Sequence, residues 1–274
     1  MTVMAPGVPY AVRTAGWQVP SFHVLELFEK RSRILICVPV INEGQRIRRQ
    51  LDKMRAICGE LDVVIADGGS TDDSLAEDVM RAMGVRGVLT KTGPGKLSAQ
   101  MRMAMAWGIE QGYEGFVFID GNDKDDSSAI PAFARDLLAG WDHIQGSRYI
   151  PGGKAINTPF SRHWGVKLLH SPLISAAARF HYTDTTNGFR GYSTRFLLDP
   201  RVQPFRDVFS AYELHYYLAI RAARLRFRVK ELPVTREYPV GEKTPTKISP
   251  LRGNLRVLRT LFHAVFLGYD PSRL

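Results

Sequence analysis

An α/β fold built on a mostly parallel sheet is what this chain predicts, and three observations carry the prediction. Continuous apolar runs, ILICVPV at 34–40, VVI at 63–65 and FVFI at 116–119, have the length and content of buried strands. Segments with apolar residues at helical spacing lie between them, so strand and helix alternate as parallel βαβ units require. Two of the runs close on aspartate-bearing turns, ADGGSTD at 66–72 and DGND at 120–123. The C-terminal ends of parallel strands are where α/β enzymes hold nucleotides and metal ions.

Taken in order, the first 30 residues are broken by Pro, Gly and Arg, lack the apolar centre of a secretory signal, and read as an irregular arm. The strand at 34–40 leads into NEGQRIRRQLDKMRAIC, where Ile47, Leu51, Met54 and Ile57 mark a helix. DVVIA repeats the buried strand, and SLAEDVMRAMG gives a second helix, with Ser70, Thr71 and Asp72 as capping candidates. A short strand at 87–90 precedes the Gly-rich turn TGPGK and an Ala- and Met-rich helix from about Ser98 to Gln111. FVFID, a helix at 130–138 and a strand at 143–147 continue the alternation.

The segment GSRYIPGGKAINTPFSRHWG is too long for a simple connection and reads as a functional loop covering a site. Helices near 165–180 and 212–223 and a strand at FRVKELPVT follow. From Leu255 basic and apolar residues alternate on one helix, a pattern that suits an interfacial helix as well as ordinary docking. The organisation expected is an arm at 1–30, one α/β domain at 31–240, and a basic loop with an amphipathic helix at 241–274.

The 274 residues are 45% hydrophobic and 23% charged, which excludes a largely disordered or fibrous chain. The net charge of +10 draws the protein to polyanions or to an anionic membrane surface. Without a recognised reading motif, nucleic acid is not the expected partner. Two cysteines, Cys37 and Cys58, without metal-ligand spacing read as reduced thiols of a cytosolic protein. No stretch approaches the roughly 20 apolar residues of a membrane span.

In DGND, Asp120 and Asn122 are closely spaced oxygen ligands that can share one divalent cation with a diphosphate; an acidic turn capping the next helix is the structural alternative. In ADGGSTD, Asp67 can accept hydrogen bonds from a base or ribose, while Gly68 and Gly69 allow close approach to the backbone; the alternative is a tight turn with an N-cap. In PVINE, Pro39 ends a strand and Glu43 can reach a ribose hydroxyl or simply satisfy a helix dipole.

These pieces, in this order, resemble the nucleotide-diphospho-sugar glycosyltransferases of the GT-A fold, specifically family two and its dolichyl-phosphate mannose synthase-like branch. GSRY at 146–149, TDTTNGFRGYS at 183–193 and KELPV at 230–234 are similar to that branch's later signatures, and the resemblance covers most of the chain. It implies a GT-A sheet flanked by helices, with Pro39, Val40, Glu43, Asp67 and Gly68 on the nucleoside of a UDP- or GDP-sugar. It implies Mg²⁺ or Mn²⁺ on Asp120 and Asn122, with Lys96 and Gly121 also at the donor. Arg148 becomes a diphosphate or acceptor ligand; Asp184 and Arg190 flank an acceptor-side turn, with Arg190 also among the donor ligands and a mutual ion pair as the structural alternative; and Glu213 matches an acidic helix residue. Lys243 and Lys247 match a basic tail that neutralises the leaving diphosphate. Asp120, Arg148, Asp184 and Glu213 are the catalytic candidates.

The chain departs from the family pattern at Gly68, where a second Asp is common, and at Asn122, which replaces an anionic metal ligand and could be compensated by Asp123. It departs again at Lys124, where Gln is usual, and at Asp125 and Asp126. The resemblance implies inverting transfer to a polyprenyl phosphate or glycan lipid, by a peripheral enzyme at the inner face of the membrane that could form homo-oligomers. The alternatives are transfer to a glycan hydroxyl, which requires a carboxylate base such as Asp184 or Glu213, and nucleotide-sugar binding without catalysis.

Overall fold

A computed structural model describes residues 7–239 and 252–271. Along the chain, β1 (Val8–Tyr10) and β2 (Phe22–Glu26) precede β3 (Ile34–Val40), α1 (Gln45–Cys58), β4 (Asp62–Asp67) and α2 (Glu77–Ala82). Next come β5 (Gly87–Lys91), α3 (Leu97–Glu110), β6 (Gly115–Phe118), α4 (Ile130–Leu138), β7 (His143–Ser147), β8 (Lys154–Ile156), α5 (Phe160–Gly165) and α6 (Ser171–Ala178). The chain then forms β9 (Arg190–Ser193), α7 (Thr194–Leu197), α8 (Glu213–Arg224), β10 (Val229–Pro233), β11 (Thr235–Glu237) and α9 (Arg252–Val265).

Among the described residues, nine strands form one sheet in the order β1-β2-β5-β4-β3-β6-β9-β7-β10, and β8 pairs with β11 apart from it. The centre, β5-β4-β3-β6, is parallel, as expected, and β7 pairs parallel to β10. β9 runs antiparallel between β6 and β7, joining the two parallel blocks.

Period-two alternation along buried strands builds a core on each face. Leu35, Cys37, Val64, Ala66, Phe116 and Phe118 join Trp107 of α3 and Leu214 of α8 in one cluster. Ile34, Ile36, Val38, Val63, Ile65 and Val117 join Ile47 of α1 and Phe133 of α4 in the other. Both cysteines are buried, and burial pushes the Cys58 thiol up to about 12, so neither is poised to react.

Three expectations change. The N-terminal arm is not irregular throughout: β2 pairs antiparallel with β5 and β1 with β2, burying Phe22 and Val24, while Glu110 accepts the Arg13 and Thr14 amides. Ser70 and Asp72 do not cap a helix, because Ser70 donates to Asp67 and Asp72 accepts from Gly44; α2 begins only at Glu77, after a 3₁₀ turn. The long segment after GSRY carries regular structure, β8 against β11 and then α5.

Candidate active site

The ends of β3, β4 and β6 converge through backbone contacts that small residues permit. The Gly121 amide donates to Pro39 O at 3.2 Å, and a Cβ there would lie 2.7 Å from a Val40 methyl, so Gly121 lets the DGND turn close on PVINE. The Gly68 amide donates to Val40 O at 2.8 Å, which brings the ADGGSTD turn to the same place.

Behind both turns stands Gln100 of α3, whose amide donates to Val40 O at 2.9 Å and Ala66 O at 2.7 Å. It ties the ends of β3 and β4 from below. Asp67 is buried and accepts the Ser70 amide and hydroxyl at 2.9 and 2.7 Å through Oδ1. Burial raises its pKa and the Ser70 bonds only partly offset this. Glu43 lies 3.6 Å from Arg46, and Lys96 is exposed just before α3.

Around Asp120 the structure supplies a residue that the sequence motifs did not reveal. Arg236 of β11 donates from Nη2 to Asp120 Oδ2 at 2.9 Å and from Nη1 to Asp125. Burial alone would raise the Asp120 carboxyl, but Arg236 and Lys124 outweigh it and hold it below the usual range. The buried Lys124 ammonium sits 5.1 Å from the Tyr238 ring, and burial followed by Arg236 brings its pKa down to about 8.

Asp123 does not join Asp120. Its backbone is left-handed at φ 56°, and its carboxylate turns to Lys53 at 2.8 Å and Arg49 at 3.3 Å on α1.

The residues present fit a divalent cation through two oxygens. Asn122 Oδ1 is buried without a hydrogen-bond partner, and Asp120 keeps a second carboxylate oxygen. An all-oxygen set of one carboxylate and one amide suits Mg²⁺ or Mn²⁺ that takes its other ligands from phosphates and water. No cluster of three His, Cys, Asp or Glu side chains suited to a metal occurs among the described residues.

The acceptor-side motifs meet through a buried ion pair. Arg148 grips Asp184 edge on and also donates to Thr186 at 3.0 Å. Asp184 therefore pairs with Arg148 and not with Arg190. Arg190 is itself enclosed, donating to the carbonyls of Thr185, Asn187 and His215 at 2.7–2.9 Å. It braces the loop and has no surface to offer a donor, which corrects its assignment as a donor ligand.

Asp184 is likewise fully buried and committed, so it positions Arg148 and cannot serve as a base. A Cβ on Gly188 would fall 2.5 Å from Asp120 Oδ1, so this glycine brings the loop against the DGND turn. Glu213 opens α8 and accepts the Ala211 amide. Lys243 and Lys247 lie outside the described residues.

No family model matches the chain. It is 27% identical over 213 residues to an undecaprenyl-phosphate mannosyltransferase of Micrococcus luteus, covering 74% of this chain and 83% of the relative. It is 26% identical over 226 residues to a polyprenol monophosphomannose synthase of Mycolicibacterium smegmatis, covering 79% and 83%.

Among solved structures, glucosyl-3-phosphoglycerate synthase of Mycobacterium tuberculosis with phosphoglyceric acid superposes with a TM-score of 0.60 at 19% identity, covering 85% of this chain and 80% of that one. The same enzyme with Mn²⁺, UDP and glucosyl-3-phosphoglycerate gives 0.59 at 17%, covering 86% and 79%. Sheet order, motif order and these relatives agree: the chain has the GT-A glycosyltransferase fold and is similar to family two in its dolichyl-phosphate mannose synthase-like branch.

Proposed function

We propose that this glycosyltransferase moves a hexosyl group from a UDP- or GDP-sugar to the phosphate of a polyprenyl lipid, with inversion at the anomeric carbon. The observation that carries the reading is the state of the site's buried carboxylates. Arg236 holds Asp120 and Asp125, and Arg148 holds Asp184. None of these three is free to take a proton from an alcohol acceptor, whereas a phosphate oxygen is already anionic and needs no strong base. The names of the two curated relatives support a polyprenyl phosphate acceptor and put mannose first among the sugars to test.

In this mechanism an acceptor phosphate oxygen bonds to the anomeric carbon as the bond to the donor's β-phosphate oxygen breaks. The electron pair leaves with the nucleoside diphosphate, and no proton moves at the acceptor. With Asp120, Asp125 and Asp184 each held by an arginine, a single inverting displacement is the economical path.

Pro39, Val40, Glu43, Asp67 and Gly68 take the nucleoside, and Lys96 and Gly121 border the phosphates. Asp120 and Asn122 would hold Mg²⁺ or Mn²⁺, which when bound neutralises diphosphate charge. Arg236 and Lys124 add fixed cations beside Asp120, where preorganised charge lowers the barrier without reorganisation. Arg148, fixed by Asp184, is the guanidinium assigned to the acceptor phosphate, which suits its geometry. The proposed location is the cytoplasmic membrane face, with peripheral attachment; among the described residues no helix is long and apolar enough to cross a membrane.

Incubation of purified protein with labelled nucleotide sugars and polyprenyl phosphate in detergent should yield a lipid-extractable phosphosugar. Donor hydrolysis without lipid product, beside efficient transfer to a soluble saccharide, would overturn the acceptor assignment.

A further inference from the structure

The helical run after β8 is seated on the rim of the site. It comprises α5 and a wider π-type segment, Val166–His170, leading into α6. On its inner side, His163 meets the Tyr149 ring edge on at 5.2 Å, and the Lys167 ammonium lies 5.0 Å from the same ring. Arg162 donates to the Tyr238 hydroxyl at 3.1 Å. Tyr149 and Tyr238 in turn border the catalytic cations, with Arg148 5.2 Å from the first ring and Arg236 5.9 Å from the second.

The other side of the same run faces solvent with large apolar groups. Phe160, Trp164 and Leu168, spaced by four, are 80%, 42% and 70% exposed. An apolar stripe on a helix that also borders a charged site is an interaction surface.

α9 repeats the pattern while packing against α6 and α8. Its Leu261 and Ala264 are buried, but Leu255 and Phe262, with Phe266 just beyond the helix, are exposed together with Arg256 and Arg259.

We infer that Phe160, Trp164 and Leu168 dock the protein on an anionic lipid bilayer, with the exposed stripe of α9 as a second contact. Phenylalanine and leucine enter the boundary between headgroups and acyl chains, tryptophan sits at headgroup level, and exposed Arg256 and Arg259 pair with anionic lipid phosphates. The net charge of +10 complements such a surface. Docking by this rim would put Arg148 at the level of a lipid phosphate, an inference that rests on the polyprenyl phosphate reading.

The test uses vesicles of phosphatidylcholine with phosphatidylglycerol and the double variant Phe160→Ser/Leu168→Ser, with thermal melting to verify its fold. The wild-type protein should co-sediment with vesicles, and the double variant should lose about tenfold or more in vesicle affinity. Transfer to long-chain polyprenyl phosphate in vesicles should fall with it, while transfer to a short, water-soluble isoprenyl phosphate stays unchanged.

Equal vesicle binding by wild type and variant would overturn the docking face. A wild-type dimer that the double variant dissolves, without vesicle binding by either, would overturn it too, by showing that a second copy covers the stripe. Stripe-dependent vesicle binding with no transfer to either isoprenyl phosphate would sink the acceptor reading and leave the docking face standing.

Discussion

Arg148 and Asp184 form a bidentate pair inside the protein, Nε to Oδ2 at 2.6 Å and Nη2 to Oδ1 at 2.9 Å, with both side chains almost wholly buried. Glu231 anchors the same loop by accepting the Thr183 and Asp184 amides at 2.9 and 3.1 Å. The motifs GSRY, TDTTNGFRGYS and KELPV thus meet in one network, and its product is a fixed guanidinium.

Removing one member of that pair should be costly. Asp184→Ala leaves a buried cation unpaired and should destabilise the fold by about 3–5 kcal/mol in chemical denaturation. Burial would raise the Asp184 carboxyl, but Arg148 outweighs it and holds it low. The pair's stabilisation is therefore complete above the ordinary aspartate pKa of about 4 and is lost as pH falls through the depressed folded value. Denaturation midpoints of Asp184→Asn should depend less on pH below about 4 than those of wild type.

Lys124 sets a second, separate pH dependence. With its pKa brought down to about 8 by burial and Arg236, it carries charge below that value and loses it above. Donor affinity measured by calorimetry without metal should fall as pH rises past about 8. Lys124→Met should bind weakly and show a flat profile over the same range; a profile like that of wild type would remove Lys124 from the donor site.

Gln100 offers a test of scaffold against ligand contact. Gln100→Leu deprives the Val40 and Ala66 carbonyls of their shared donor and should cost about 1–3 kcal/mol of stability. Donor affinity should fall with it, because Gly68 of the ADGGSTD turn rests on the Val40 carbonyl. Unchanged nucleotide binding would show that the turns hold their shape alone.

The parallel centre was legible because β3, β4 and β6 are buried on both faces and their runs are continuously apolar. β7 and α4 have the bounds that the sequence predicts, His143–Ser147 and Ile130–Leu138. The antiparallel additions were hidden for physical reasons. Phe22–Glu26 alternates within a Pro- and Gly-containing stretch, and Arg190–Ser193 is short and sits inside a motif that reads as a turn.

The acidic turns identified Asp67 and Asp120, but Arg236 reaches Asp120 across 116 positions, and no local pattern encodes such a pairing. A signal for Gln100 did exist: it is an amide within the Ala- and Met-rich helix, where a polar side chain is tolerated only with buried partners.

Asn122 is where the chain departs most clearly from a two-carboxylate metal motif, and it gives the sharpest chemical test. Its Oδ1 is buried and unpartnered, so the position can receive a ligand atom of the same shape. Asn122→Asp adds a second anionic oxygen near Asp120, which Arg236 and Lys124 help to offset. Coulomb attraction then favours a divalent ion, and Mn²⁺ affinity followed by electron paramagnetic resonance should rise by roughly tenfold or more. Asp120→Ala should remove Mn²⁺ binding in the presence of nucleoside diphosphate. If neither substitution moves Mn²⁺ affinity, the DGND turn is not a metal site, and Arg236 with Lys124 must carry the diphosphate charge alone.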